Sequence, residues 1–188
     1  MHKFSPSNAD RLESEQRYKL LPPRETLKRF GLGKGMTFVD VGAGTGYFTR
    51  EAAKIVGNKG MAYAVEMSKE MAEHLREKGV PENVQVIRSE EYRIPLDDSI
   101  SDLTWLAFVV HENSEVRRFV REAKRVTKDG GRVVILEWKK QEEEHGPPMD
   151  ERLSQHDLKK ALSGFAIVEE GSLNRSHYYV VIDIKKSP

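Results

Sequence analysis

Three glycines at alternate positions, Gly42, Gly44 and Gly46, follow Val39-Asp40-Val41 and precede Tyr47-Phe48. Glycine lets the chain turn sharply and lets a ligand approach the main chain where a Cβ would intrude. The free N–H groups of a following helix point at such a ligand. Twenty residues after Gly46 stands Glu66, at the end of a second apolar run. A carboxylate there can accept from both hydroxyls of a ribose. Glu90-Glu91 lies just past a third apolar run, where a side chain can reach an adenine amino group. The spacing G-x-G-x-G departs from the dinucleotide pattern, which would want glycine at Tyr47. Asp40, two residues before Gly42, would repel a pyrophosphate. It can orient the loop or accept from a cationic amino group, and a sulfonium amino acid carries that cation without a phosphate.

The elements that must hold these groups follow from periodicity. A short helix is predicted around Ala9–Leu20, and Pro22-Pro23 opens another that stops at Gly31. Strands are predicted at Thr37–Val41, Met61–Val65, Val84–Ile87, Leu103–Val110 and Val133–Trp138. The nearly unbroken apolar run of the fourth marks a central parallel strand. Helical stripes fall between them: Phe48, Ala52, Ile55 and Val56; Met71 and Leu75 behind a Ser68 cap; Val116, Phe119, Val120, Ala123 and Val126. Asp129-Gly130-Gly131 reads as a turn, and the charged, proline-containing Lys139–Glu151 as a loop. Ser154 can cap a short helix with Leu158 and Leu162, and Phe165–Val168 with His177–Ile184 reads as a terminal antiparallel hairpin. The expected fold is α/β: a doubly wound, mostly parallel seven-stranded sheet with a C-terminal antiparallel hairpin and helices on both faces. Residues 1–188 form one domain in this reading, with 1–35 a helical lid or leader and 36–188 a Rossmann-like core.

Composition narrows the partners. Lys and Arg number 31 against 30 Asp and Glu, so no long-range field draws the chain to nucleic acid or an anionic membrane. No apolar run reaches the roughly 20 residues of a membrane span. Cysteine is absent, which excludes disulfides, thiolate metal sites and cysteine nucleophiles. No metal site is expected, and the expected location is cytoplasmic.

These residues resemble the class I S-adenosylmethionine-dependent methyltransferases with the seven-stranded Rossmann-like fold, in particular their ubiquinone/menaquinone-biosynthesis-type group. The motif likeness runs from about Pro23 to Lys140. Val39–Phe48 looks like that family's cofactor loop and Glu66 its ribose acid. Glu90 stands where Asp is usual, and Asp129 where Pro is usual. The resemblance implies S-adenosyl-L-methionine as cofactor and methyl transfer as the reaction. It implies backbone at Ala107 lying along the cofactor. The cofactor-binding set is Asp40, Gly42, Ala43, Gly44, Gly46, Glu66, Met67, Glu90, Glu91 and Ala107.

The acceptor belongs at the carboxyl ends of the strands. His111-Glu112 and Glu137-Trp138-Lys139 are the candidates there, with His2, Phe4 and Tyr18 from an N-terminal lid and Pro147-Pro148 opposite. His111, with an ordinary pKa of about 6.5, is the candidate catalytic base. Glu112, adjacent on an extended chain, is expected on the opposite face, toward solvent. Trp138 reads as core packing, with an acceptor pocket as its alternative. The expected function is methylation of a small-molecule acceptor that nothing in the sequence specifies. A nucleic-acid or protein methyltransferase and a non-catalytic S-adenosylmethionine-binding module are the alternatives, and a nicotinamide oxidoreductase is disfavoured by the loop spacing.

Overall fold

The computed structural model describes residues 14–185. Two short helices come first, α1 (Glu15–Leu20) and α2 (Pro23–Arg29). Ser14 caps α1 through the Arg17 N–H, and Pro23 occupies the first turn of α2, where its missing donor costs nothing. The part of the predicted helix before Ser14, with His2 and Phe4, lies outside the described residues. The core then runs β1 (Thr37–Val41), α3 (Tyr47–Val56), β2 (Met61–Glu66), α4 (Lys69–Glu77), β3 (Val84–Arg88), β4 (Ser101–Ala107), α5 (Val116–Val126), β5 (Thr127–Trp138), α6 (Gln155–Ala161), β6 (Ile167–Ser172) and β7 (His177–Asp183).

The sheet has seven strands in the order β3-β2-β1-β4-β5-β7-β6. β1 to β5 pair in parallel, and β7 inserts antiparallel between β5 and β6. This is the doubly wound sheet with a terminal hairpin that the sequence predicts. Alternation along each strand feeds two cores. Phe38, Trp105, Leu136 and Tyr179 face Leu27, Phe30, Phe48, Ala52 and Leu75 from α2, α3 and α4. Val39, Val41, Leu106, Ile135 and Tyr178 face Val120, Ala123, Leu158 and Leu162 from α5 and α6. Ser68 and Ser154 cap α4 and α6 through the Met71 and Asp157 N–H groups, as their positions foretold. Strand order reverses at β1, whose neighbours are β2 and β4, so the ligand crevice of such a sheet lies beyond its carboxyl end. Among the described residues no helix is long and apolar enough to cross a membrane.

Three elements depart from expectation. β4 ends at Ala107 rather than Val110: Phe108 takes a left-handed φ of 62°, and Val110–Glu112 coil into a turn of 3-10 helix. β5 begins at Thr127, directly after α5, and Asp129-Gly130-Gly131 is an irregularity inside it rather than a turn. Gly130, at φ 74°, gives its N–H to Ile184 O, which ties the strand start to the end of β7. β6 is displaced to Ile167–Ser172 because Phe165 closes the end of α6, its N–H donating to Leu162 O.

Candidate active site

The loop leaving β1 passes through Gly42, Gly44 and Gly46 at φ 75°, 54° and 82°, a backbone that L side chains rarely adopt. A Cβ on Gly42 would stand 2.3 Å from Val109 Cγ1, so the loop presses against the exit from β4. The Gly42 and Ala43 N–H groups donate to Val65 O, at 2.8 and 3.1 Å. Gly44 N–H donates to Glu66 Oε2 and Ser68 N–H to Glu66 Oε1, both at 2.9 Å. The Glu66 carboxylate thus bridges the glycine loop and the cap of α4. Each of its oxygens retains a further acceptor position, as a vicinal diol requires. Asp40 lies beneath, 3% exposed, accepting from Thr49 Oγ1 at 2.6 Å. Burial raises its pKa to about 7; the Thr49 hydrogen bonds and Arg17 oppose the rise, and the charge of Glu66 adds to it.

Beyond β3, Ser89 N–H donates to Glu66 O, which sets the next segment beside Glu66. Glu90 and Arg93 close a tight turn by mutual backbone bonds, with the Glu90 and Glu91 side chains exposed. α5 stitches this segment down: Arg125 reaches Ile94 O, Leu96 O and Asp98, and Glu122 accepts from Ile94 N–H. Met67 is half-buried between Glu66 and the α4 cap.

Across the mouth, the chain leaves β4 at Ala107. Glu137 of β5, 1% exposed, gathers the turn that follows. Its Oε1 accepts from Val110 N–H at 2.9 Å and His111 N–H at 3.1 Å, while Oε2 meets His111 Nδ1 at 2.8 Å. Burial alone would lower the His111 pKa; the hydrogen bond and charge of Glu137, with Glu112 and Glu151, outweigh it and raise the pKa above its ordinary value. Glu112, expected toward solvent, is half-buried. Burial pushes its pKa up to about 7, against the pull of His111 and with the charges of Glu137, Glu66 and Glu151. The correction follows from the turn: residues 110–112 are not extended, so the alternation of a strand does not apply.

A family model described as "Methyltransferase domain" matches residues 39–135, just over half of the chain. The chain belongs to this methyltransferase-domain family. A SAM-dependent methyltransferase from Aquifex aeolicus is 37% identical and superimposes with a TM-score of 0.90, over 97% of this chain and 100% of that one. The ubiquinone/menaquinone biosynthesis C-methyltransferase UbiE of Idiomarina loihiensis is 31% identical over 121 residues, 62% of this chain and 48% of its own. The chain therefore spans about half the length of the curated relatives it matches. SpnF, a cyclase 19% identical with a TM-score of 0.72 over 88% of this chain and 81% of its own, shares the fold alone. A common fold does not fix a common reaction.

Fold and family imply S-adenosylmethionine as the ligand of this methyltransferase domain. The residues present fit it: a glycine backbone open to close approach, a carboxylate with acceptor positions for a diol, and a buried carboxyl able to meet a cation. Asp40, the glycine loop, Ala43 and Glu66 form one connected unit. Met67, Glu90 and Glu91 follow it along the sheet edge, and Ala107 lies across β1 at the end of β4.

The domain also carries groups that the sequence does not single out, Arg17, Phe108, Arg152 and His177. Arg17 of α1 lies 4.1 Å over the Tyr47 ring and 5.9 Å over that of Phe108. Tyr18 packs on Tyr47, whose hydroxyl donates to Leu21 O. Phe108, Trp138 and His177 form a ring cluster with centroids 4.4 to 5.6 Å apart, so half-buried Trp138 is neither simple core nor bare pocket wall. Arg152, 3% exposed, holds the 139–152 loop by donating to the carbonyls of Lys139, Gln141, His145 and Pro147. It also lies 5.2 Å over the Trp138 ring. Glu137, Trp138 and Tyr18 stand among the sequence candidates for the mouth; the sequence assigns Glu137 no role as the partner of His111, although a charge inside the apolar run Val133–Trp138 needs a buried partner.

Proposed function

We propose that this domain methylates a small-molecule acceptor from S-adenosylmethionine, with His111 as the base that takes the acceptor's proton. The observation that carries the reading is that, at the reversal of strand order, the Glu66-bridged glycine loop presses at Gly42 on Val109, and so on the turn that carries the His111–Glu137 pair. When bound, the cofactor supplies an electrophilic sulfonium methyl whose transfer leaves a neutral thioether. The protein's own contribution then divides in three. Glu66, with the glycine backbone open beside it, holds the ribose end, Glu90 and Glu91 serve the adenine end, and Asp40 meets the ammonium. α1, with Arg17 and Tyr18 over Tyr47, acts as the lid that excludes water from the mouth. His111, held by Nδ1, offers Nε2 to the acceptor.

The likeness to ubiquinone/menaquinone biosynthesis C-methyltransferases makes an activated ring carbon the first acceptor to offer, because its methylation releases a proton that His111 can take. Balanced charge supports a small molecule over nucleic acid, and the cysteine-free composition a cytoplasmic setting. Labelled cofactor turned over against a metabolite panel tests the reading. His111→Asn should lower turnover about a hundredfold or more and leave cofactor affinity nearly unchanged by calorimetry. Normal turnover of that variant on the acceptor found would remove His111 from the chemistry.

A further inference from the structure

Glu137 is a costly residue for its place. It sits on a central strand, on the face that packs against α5 and α6, among Val133, Ile135, Tyr178 and Val180. An apolar side chain would serve that core better, and a buried carboxylate persists only where hydrogen bonds replace its water. Here three of those bonds go to the turn after β4, at 2.8 to 3.1 Å, and a fourth, longer one comes from the Trp138 N–H to Oε2 at 3.3 Å. The nearby Tyr178 hydroxyl points elsewhere, donating to Leu153 O at 2.9 Å.

We propose that Glu137 is a positioning residue that fixes the His111 imidazole as its Nδ1–H tautomer and leaves Nε2 as the basic nitrogen. A carboxylate can only accept, so the proton between Nδ1 and Oε2 belongs to the ring. The same carboxylate pins the backbone on which the ring is mounted, through Val110 and His111 N–H. Orientation and tautomer are therefore set by one group, 26 residues away in sequence. The other charged groups acting on the ring are Glu112 of the same turn and Glu151 of the loop that Arg152 organises. Neither has a hydrogen bond to the ring that could select a nitrogen. The inference rests on the proposed base role for its catalytic meaning, but not for its structural content.

Replacement by Gln gives a sharp contrast. In Glu137→Gln, the two backbone N–H groups that now meet Oε1 at 2.9 and 3.1 Å outweigh the single, longer one from Trp138 at Oε2, so the new amide places its oxygen toward them and its NH2 toward Nδ1. The ring must then accept at Nδ1 and carry its proton on Nε2. The test uses full-length protein labelled with 15N-histidine and long-range 1H–15N correlation at pH 8. Wild type should show His111 protonated at Nδ1 and bare at Nε2; Glu137→Gln should show the reverse. In the variant His111 should titrate lower, and turnover should fall about a hundredfold or more with cofactor KM within about twofold. Glu137→Asp, which keeps an acceptor, should retain the wild-type tautomer. A wild-type ring protonated at Nε2 overturns the proposal without any variant, as does an unchanged tautomer in Glu137→Gln. A reversed tautomer with turnover intact would keep the clamp and overturn instead the base role of His111.

Discussion

Replacing Asp40 by Asn should exchange stability for cofactor binding, and the exchange should turn with pH. The Asp40 carboxyl has an ordinary pKa of 3.8 and is raised to about 7 by burial. The folded state therefore holds a proton that the unfolded state releases between these values. The stability this contributes is complete below 3.8 and gone above about 7. At about 1.4 kcal/mol per unit, ionisation in the folded state costs a ceiling of about 4 kcal/mol. Asn escapes that cost. Its oxygen can take the Thr49 hydroxyl bond, but its NH2 enters a site arranged for an acceptor, at about 1–3 kcal/mol irrespective of pH. Asp40→Asn should thus be the less stable protein near pH 4 and the more stable one at pH 8. The two differences should sum to about 4 kcal/mol. Denaturant titrations read by tryptophan fluorescence at pH 4.5, 6 and 8 measure this directly, since Trp105 is fully buried. Glu112 and His111 titrate in both proteins and largely cancel from the comparison. If the ammonium of the cofactor needs the ionised carboxyl, wild-type affinity should fall about tenfold per unit below pH 7, while the variant binds weakly and without pH dependence. A stability difference that does not move with pH would refute the assignment of a buried, proton-holding Asp40. Wild-type affinity level from pH 5.5 to 8 would refute its contact with the cation.

His177→Phe should steepen nothing and flatten much. His177 is 2% exposed, neither ring nitrogen has a partner, and burial with the cations Arg17, Arg152 and Lys139 lowers its pKa to about 3. Its contribution is whole above pH 6.5 and is lost as pH falls toward 3, so the variant should lose about 1.4 kcal/mol per pH unit of the acid slope while keeping the stacking on Phe108 and Trp138. An unchanged acid slope in chemical denaturation would contradict this. For α1, hydrogen exchange of the amides of residues 15–21 should slow when S-adenosylmethionine binds, because the helix is short and anchored chiefly through Tyr47 and Asn174. Equal exchange with and without cofactor would speak against a lid.

What could be read in advance was local. Ser68 and Ser154 cap helices because a hydroxyl at that position answers an orphan N–H two or three residues on, and nothing distant decides it. The glycine loop and Glu66 were legible for a similar reason: the φ values and the carboxylate's place follow from where β1 and β2 stop. The failures lie where distant contacts overrule local pattern. Leu103–Val110 is as apolar as one long strand, yet Phe108 abandons extended geometry. Its N–H donates to Leu136 O, and its ring packs on Trp138 and His177. A left-handed non-glycine residue costs about 1–3 kcal/mol and persists only where surroundings over-determine it. Arg152 and Arg17 carried no local sign, since their partners are carbonyls and rings brought close only by the fold.

The same departure explains how one strand edge serves two environments. Glu137 and Trp138 are consecutive, so the pleat sends them to opposite faces of the sheet. Toward α5 and α6, Glu137 draws in His111, and with it the carboxyls of Glu112 and Glu151. Toward α1, Trp138 stacks with His177 and Phe108, under the charges of Arg17 and Arg152. A straight β4 would carry residues 108 to 111 past the sheet edge in alternation. The left-handed turn at Phe108 instead stops the strand, turns one ring to each side and presses Val109 onto Gly42. His111, the ring cluster and the glycine loop thereby share a single pivot. The strain at Phe108 is maintained by the packing of the elements whose relative positions methyl transfer would need.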